Sequence, residues 1–256
     1  MKIFRSIFLI INYKTFVVTI LAVAATAFCK YNQIFADFPL PLIGVALVFP
    51  VVFSIDSAYK RRENALMQLG DFKNHLLSIY LASRDWISPE QKTFQEEIKK
   101  ELVGTYEALR NLFTNRHKDV VDLENELFEQ VSKVSYLVQD FRKHGLQVGE
   151  VSRVSQYVSK ISGAIEAMKV VLHYRTPVTL RAYSTIFMYS FPILYAPYFA
   201  FQAQDYYHGL IYMMPIMYSF VLISLDNIQN HLENPFDQIG EDDIKFDVDL
   251  FASRMK

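Results

Sequence analysis

Residues 39–70 read PLPLIGVALVFPVVFSIDSAYKRRENALMQLG, and this stretch decides the fold. An apolar run of membrane length opens it and a basic cluster, Lys60, Arg61 and Arg62, follows. Beyond the cluster, apolar residues recur at steps of three and four, which is the period of a helix with one buried face; they are Leu66, Leu69, Phe72, Leu76 and Ile79. The stretch therefore predicts one continuous helix that leaves a membrane and extends into the cytoplasm.

Charge is segregated along the 256 residues. Lys and Arg are absent from 31–59 and again from 182–244, although 21% of the chain is charged and 52% is apolar. Two apolar zones therefore flank a polar middle. The net charge of −1 lacks the basic excess of a nucleic-acid-binding protein. The single cysteine, Cys29, excludes an intrachain disulfide framework and a thiolate zinc site.

The apolar zones accommodate four membrane spans, because about 20 apolar residues cross the hydrocarbon core. The predicted spans are 15–34, 40–55, 183–201 and 210–225. Basic residues lie before the first span and after the second, which places both termini in the cytoplasm. An amphipathic segment, 2–12, precedes the first span. A cleaved signal peptide and a pair of buried helices in a soluble core are the alternatives that we weigh and disfavour.

The polar middle carries helix signals and no alternating strand pattern. Ser88, Pro89 and Gln91 form a predicted capping box, and Gly145 after a run of cations forms a predicted helix stop. We therefore expect an all-α membrane protein: four transmembrane helices plus a helical cytoplasmic bundle. The predicted divisions are 1–60 for the N-terminus and first two spans, 61–180 for the cytoplasmic domain, 181–226 for the last two spans, and 227–256 for an acidic tail.

Catalytic and metal-binding motifs are absent from the sequence. It contains no HExxH, CxxC, GxxxxGK[ST], GxGxxG or GxSxG, and its six histidines lack ligand spacing. We therefore predict no enzyme, no cofactor and no resident metal, with His173 as a structural donor. Glu241, Asp242 and Asp243 offer the oxygen ligands that calcium accepts, but they lack the EF-hand order, which favours a solvated tail.

Three stretches resemble the bestrophin family of ion channels, and they occur in the family's order. The tail Glu233-Asn234-Pro235-Phe236, followed by Asp242 and Asp243, is similar to its carboxy-terminal signature. Residues 53–61, with the later Gly70, resemble the cytoplasmic end of the family's second span, and 175–178 with Tyr183 resemble the stretch before its third. The resemblance covers nearly the whole chain, and the short length is similar to that of the prokaryotic branch.

The resemblance implies a homopentamer with one pore along the five-fold axis, lined by the second span. The implied neck consists of Val45, Phe49 and Phe53, which are spaced by four and stack as three apolar rings. For these residues the alternative is ordinary packing or contact with lipid. The implied pore mouth is Lys60, Arg61 and Arg62, whose alternative role is topological anchoring. Candidates for a second, cytoplasmic constriction are Val148 and Val151.

The chain departs from the family pattern at Ser54, where the family has arginine, at Arg62 and Glu63, where it has an aromatic pair, and at Thr179, where it has proline. These changes bear on selectivity more than on fold. The resemblance implies a channel for small inorganic ions, anions such as chloride preferred, in the cell membrane with both termini cytoplasmic. Membrane lipid and further copies of the chain are its expected partners, and nucleic acid is not.

Two alternatives stay open at this point. The first is a cation-conducting bestrophin homologue, and the second is a membrane-anchored helical scaffold without conduction. The acidic run near Asp242 is shorter than the run that builds the calcium clasp of animal bestrophins, so we expect no calcium gating.

Overall fold

The fold is all-helical in every segment that the structure describes. This computed structural model describes residues 11–37, 39–88, 90–174, 177–202, 212–239 and 243–256, with the backbone alone at 40–43, 46 and 47. The prediction of an all-α fold is confirmed. The amphipathic lead-in predicted for 2–12 lies, up to residue 10, outside the described residues. The helices are α1 Tyr13–Tyr31, α2 Leu40–Asp85, α3 Lys92–Thr114, α4 Val120–Asp140, α5 Val148–His173, α6 Val178–Leu194, α7 Ala196–Gln202, α8 Met213–Glu233 and α9 Val248–Ser253.

The described chain forms two compact units. The first takes the chain up to Arg62 and the segment from 177 to Asn234, and the second takes Glu63–Tyr174, Pro235–Ile239 and Asp243–Lys256. The boundary falls within α2, which is one continuous helix, as the opening stretch predicts. The four-part division into membrane and cytoplasmic segments stays a prediction.

The second unit is a helical bundle around one apolar core. Helix α3 packs on α4, α4 packs on α5, and the short α9 packs on α3. The predicted apolar face of α2 enters this core, where Phe72 meets Tyr106 with ring centroids 5.9 Å apart. Burial of one stripe per helix is the main stabilising term in such a bundle. The buried members of the α2 face are Leu69, Phe72, Leu76 and Ile79, with Leu66 packed beside them.

The predicted helix stop at Gly145 is confirmed. The Leu146 amide donates to the Phe141 carbonyl at 3.1 Å, and the Gly145 amide donates to the Arg142 carbonyl at 3.2 Å. This pair of bonds is a Schellman motif, in which the residue after the helix is left-handed. Gly145 supplies that conformation with φ +88°. Glycine is required here because a Cβ disfavours the left-handed region.

The predicted capping box at Ser88 is wrong. Helix α3 begins at Lys92, and the preceding Gln91 makes no side-chain capping bond. The Gln91 amide instead donates to the Ser88 carbonyl at 3.0 Å in a turn, and the Gln91 Oε1 lies 2.8 Å from His144 Nδ1. The His144 ring in turn stacks on Phe94 at 3.9 Å. A side chain committed to a distant partner is not free to close a capping box.

The first unit is built from α1, α6, α7, α8 and the start of α2. Helix α1 packs against α6, α7 and α8, and α6 packs against α8. The Asn12 side chain caps α1 by accepting from the Lys14 amide at 2.9 Å, and it donates to Asn227 Oδ1 at 2.8 Å. One residue therefore begins α1 and joins it to α8.

The third and fourth predicted spans differ from the observed helices. The third is divided at Tyr195 into α6 and α7, because Pro197 has no amide to donate to the Ile193 carbonyl. The helix of the fourth, α8, continues past the predicted span end at Leu225 to Glu233. The connection between them, and the predicted start of the fourth span at 210, lie in 203–211, outside the described residues.

Replacing Gly145 with alanine tests the helix stop. Gly145→Ala places a Cβ at a positive φ and should lower the free energy of unfolding by about 1 kcal/mol. Gly163→Ala is the matched control, because Gly163 lies inside α5 with open space around it and an ordinary φ. That substitution should raise stability by about 0.5–1 kcal/mol. Chemical denaturation of the full chain in detergent measures both, and the same sign for both would contradict the assignment.

Candidate functional site

The predicted neck residues lie together on one exposed stripe of α2. In the single chain Val45 is 54% exposed, Phe49 56% and Phe53 60%. The Phe49 and Phe53 rings stack with centroids 6.1 Å apart and 29° between their planes. Val48 and Val52 are exposed as well and broaden the stripe. Spacings of three and four place all five side chains on one face of the helix. We call these five residues the neck stripe.

The opposite face of the same helix segment is buried in the first unit. Val51 joins an apolar cluster with Met188, Phe191 and Leu222, among others. Ser54 and Ala58 are fully buried. Ser54, which stands where the family has arginine, is therefore turned away from the neck stripe. Pro50 lies inside α2 and does not end it.

The three basic residues of the predicted pore mouth do not share one face. With about 100° per residue, Lys60 lies roughly 20° from Phe53 around the helix axis, Arg61 roughly 80° and Arg62 roughly 180°. The Lys60 side chain is 74% exposed, whereas Arg61 and Arg62 are half-buried. The Lys60 Nζ lies 2.7 Å from Asp56 Oδ2, one turn nearer the neck stripe. Lys60 alone of the three basic residues therefore continues the neck stripe, and it does so in an ion pair.

The two candidates for a second constriction, Val148 and Val151, differ in burial. Val148 is the first residue of α5 and is 67% exposed. Val151 is fully buried in the core of the second unit. Of the two predicted candidates, Val148 is therefore the one whose side chain is exposed in the single chain. Val148 stays a prediction.

The signature Glu233-Asn234-Pro235-Phe236 has a structural role in the described residues. Helix α8 ends at Glu233 with Asn234 as its cap residue. Phe236 is buried in the second unit with its ring centroid 4.4 Å from that of Phe113. The Pro235 carbonyl accepts from the Ile244 amide at 2.8 Å, and Gln238 Nε2 donates to the Ile244 carbonyl at 2.7 Å. The signature thus closes a loop whose aromatic residue enters the core.

The acidic run after the signature is described only in part. Asp243 is among the described residues, whereas Glu241 and Asp242 lie outside them. In the described part of the chain no group of three or more His, Cys, Asp or Glu side chains is placed to hold a metal ion.

Polar residues at the end of α8 are buried, which the sequence analysis missed. Tyr189 Oη donates to Asp226 Oδ2 at 3.1 Å, and Arg181 Nη1 donates to Glu233 Oε2 at 3.0 Å. Together with the Asn12–Asn227 bond, these contacts join α8 to α1 and α6. A signal existed in the sequence, because the steps of three and four that mark the buried face of α8 continue past Leu225 and there fall on polar residues. The buried polar residues of this segment are Asp226, Asn227, Gln229 and Glu233.

A second polar cluster lies in the helical bundle, beside a cavity of about 230 Å³. Lys169 Nζ lies 3.0 Å from Glu124 Oε2 and 3.2 Å from Glu166 Oε1, and His173 Nε2 lies 3.3 Å from Glu124 Oε1. Burial acts to raise the pKa of Glu124, but the hydrogen bonds from Lys169 and His173 outweigh it and the pKa is lowered. His173 therefore contacts Glu124 in a polar cluster between α4 and α5, in keeping with its predicted structural role.

Removing Arg181 tests the polar contacts of α8. Arg181→Met leaves the buried Glu233 carboxylate without its cation and should lower the free energy of unfolding by about 1–3 kcal/mol. This loss is smaller than for a fully buried ion pair because Arg181 is one-third exposed. Glu233→Leu should also destabilise. The double variant should lose less than the sum of the two single losses, as a double-mutant cycle in thermal unfolding would show. Additive losses would mean that the two side chains do not interact.

These observations together define a class of protein. The chain has apolar helices, an all-α fold and an exposed aromatic stripe on a helix of membrane-span composition. Among the described residues one helix, α1, passes a test of length and apolarity for membrane spanning, with a mean hydropathy of 1.4. This combination is typical of all-helical membrane proteins.

A family model described as "Bacterial/Fungal Bestrophin protein" matches residues 1–249. The chain belongs to this family. Solved structures of a bacterial bestrophin homologue from Klebsiella pneumoniae share the fold: one variant aligns with a TM-score of 0.80 at 15% identity, covering 94% of each chain. Another variant aligns with a TM-score of 0.78 at 14% identity, covering 95% of each chain. A search of curated protein sequences finds no match.

Family membership settles the coarse features of the protein. It is an integral membrane protein of the bestrophin fold, with four transmembrane helices and a helical bundle, and it is an ion channel and not an enzyme. Membership also disfavours the alternative of a membrane-anchored scaffold without conduction. The ion, the neck and the number of subunits go beyond this result.

Proposed function

We propose that the protein is a homopentameric channel for small inorganic ions whose neck is formed by Val45, Phe49 and Phe53. The single observation that carries the proposal is the neck stripe: five apolar side chains stay exposed on α2 while its opposite face is buried. Five copies of this stripe around an axis enclose three successive apolar rings. Membrane lipid covers the outside of the assembly.

An apolar neck controls ion conduction by its hydration. A narrow passage lined by valine and phenylalanine side chains loses its water column readily, so ions cross only when the passage is wide enough to stay wet. Aromatic edges carry partial positive charge and can face a passing anion, which favours chloride as the permeant ion.

A cation-conducting channel is the second candidate, and one observation favours it. Asp56 lies next to Lys60 on the continuation of the neck stripe, whereas Arg61 and Arg62 point elsewhere. Each chain therefore contributes fewer positive charges to the mouth than the three that the sequence predicts.

We place the channel in the cell membrane with both termini in the cytoplasm, because Lys14 precedes the first span and the basic cluster follows the second.

Alanine substitution tests the neck. Phe49→Ala and Phe53→Ala remove the widest apolar side chains from the passage and should raise single-channel conductance several-fold in a planar bilayer, because the wider passage stays hydrated. The purified wild type should migrate as a pentamer and conduct. Reversal potentials in asymmetric salt report whether the ion preference changes at the same time.

Phe187→Ala is the matched control for these variants. Phe187 is an exposed phenylalanine of α6, outside the neck stripe, and its loss should leave conductance unchanged. If Phe49→Ala and Phe53→Ala behave as Phe187→Ala does, the neck stripe faces lipid or a neighbouring helix and the assignment fails.

Calcium titration tests the acidic tail. We propose that the channel is not gated by calcium, because the acidic run after the signature is short. Open probability in a bilayer should stay constant between nominally calcium-free solution and a saturating calcium concentration on the cytoplasmic side. Clear activation at micromolar calcium would overturn this proposal and leave the neck assignment standing.

A further inference from the structure

The charged residues nearest the neck stripe form one ion pair per chain. Asp56 Oδ2 and Lys60 Nζ are 2.7 Å apart, four residues apart on α2. Asp56 lies roughly 60° and Lys60 roughly 20° from Phe53 around the helix axis, so both stand on the side of the neck stripe. Both side chains are open to solvent, 47% and 74% exposed respectively. Charges placed at the end of an apolar passage act on the first ion that leaves or enters it.

The other charged residues near this level differ from the pair in helical register. Around the helix axis Arg61 and Arg62 lie roughly 120° and 140° from the middle of Val45, Phe49 and Phe53, whereas the exposed Glu63 lies roughly 80° from Phe53, one turn beyond the pair. Ser54 is fully buried and neutral. Among the described residues from 45 to 62, Asp56 and Lys60 are therefore the charged side chains that share the side of the neck stripe.

We infer that Asp56 is a selectivity-determining residue of this channel, and that it acts by cancelling the field of Lys60. The inference rests on the proposed function, since it requires the neck stripe to line the pore. Copies of the pair around the axis form a ring in which acidic and basic groups alternate. The ring has almost no net charge, so the wild-type channel discriminates weakly between anions and cations at this point. Removing one member exposes the full charge of the other.

Neutralising each member in turn gives opposite expected results. Asp56→Asn leaves a ring of lysines and should raise the chloride-to-potassium permeability ratio by about threefold to tenfold. Lys60→Gln leaves a ring of aspartates and should lower the ratio by a similar factor. The double variant should return close to the wild-type ratio. Reversal potentials in asymmetric potassium chloride measure all four proteins.

The matched control is Arg62→Gln, which removes the same charge at a position roughly 140° around α2 from the middle of Val45, Phe49 and Phe53. Its permeability ratio should stay at the wild-type value. The shifts caused by Asp56→Asn and Lys60→Gln should also shrink in molar salt, because the screening length falls from about 10 Å at 0.1 M to about 3 Å at 1 M. Gel filtration establishes that each variant assembles as the wild type does. If Asp56→Asn does not assemble, the shift in Lys60→Gln relative to Arg62→Gln decides.

Separate outcomes overturn the inference and the proposed function. If the wild type conducts and Phe49→Ala changes its conductance, but Asp56→Asn leaves the reversal potential unchanged, then the neck stands and the ion pair has no role in selectivity. An equal shift in Arg62→Gln and Lys60→Gln also overturns the inference, since it would reflect general surface charge. A wild type that assembles without conducting overturns both.

Discussion

The helical register of α2 determines which side chains can form the proposed neck and its mouth. Each residue turns the side-chain direction by about 100°, so the choice of one buried face fixes the position of every other side chain. Packing of Val51, Ser54 and Ala58 inside the first unit makes that choice. Val45, Phe49 and Phe53 are then exposed together. The same register brings Lys60 into line with Phe53 and places Arg62 roughly 140° around the helix from the middle of Val45, Phe49 and Phe53.

Much of this arrangement could be predicted from the sequence because it depends on local patterns. The continuity of α2 follows from an apolar run that passes without a break into residues spaced by three and four. Gly145 marks a helix end because its left-handed backbone is a property of one residue and its neighbours. The neck residues could not be identified from spacing alone, since apolar residues spaced by four also occur in many packed helices. The resemblance to a channel family selected them, and the structure shows them exposed on one face.

The parts that could not be predicted depend on distant partners. Asp226 and Glu233 look like the start of a solvated tail until Tyr189 and Arg181 are brought beside them. Gln91 has the sequence context of a capping residue, but its side chain contacts His144 instead. Val151 and Val148 are three residues apart, and only the packing of α5 shows that one is buried and the other exposed. A pattern of residue types does not specify which polar group meets which.

Fold and ion preference place different demands on the sequence. The fold rests on buried positions such as Phe72, Phe236 and Met188, whose loss would open cavities. The neck stripe and the Asp56–Lys60 pair are exposed in the single chain, and an exposed ion pair contributes little to stability. In the proposed channel the apolar neck limits conduction by dewetting, and the nearest charges add to the effect of the aromatic edges on the sign of the preferred ion. These charges can change without cost to the fold. The chain shares 14–15% of its residues with the Klebsiella homologue and keeps the same fold. If the proposed neck lines the pore, one or two residues beside it can alter ion preference while the buried positions hold that fold.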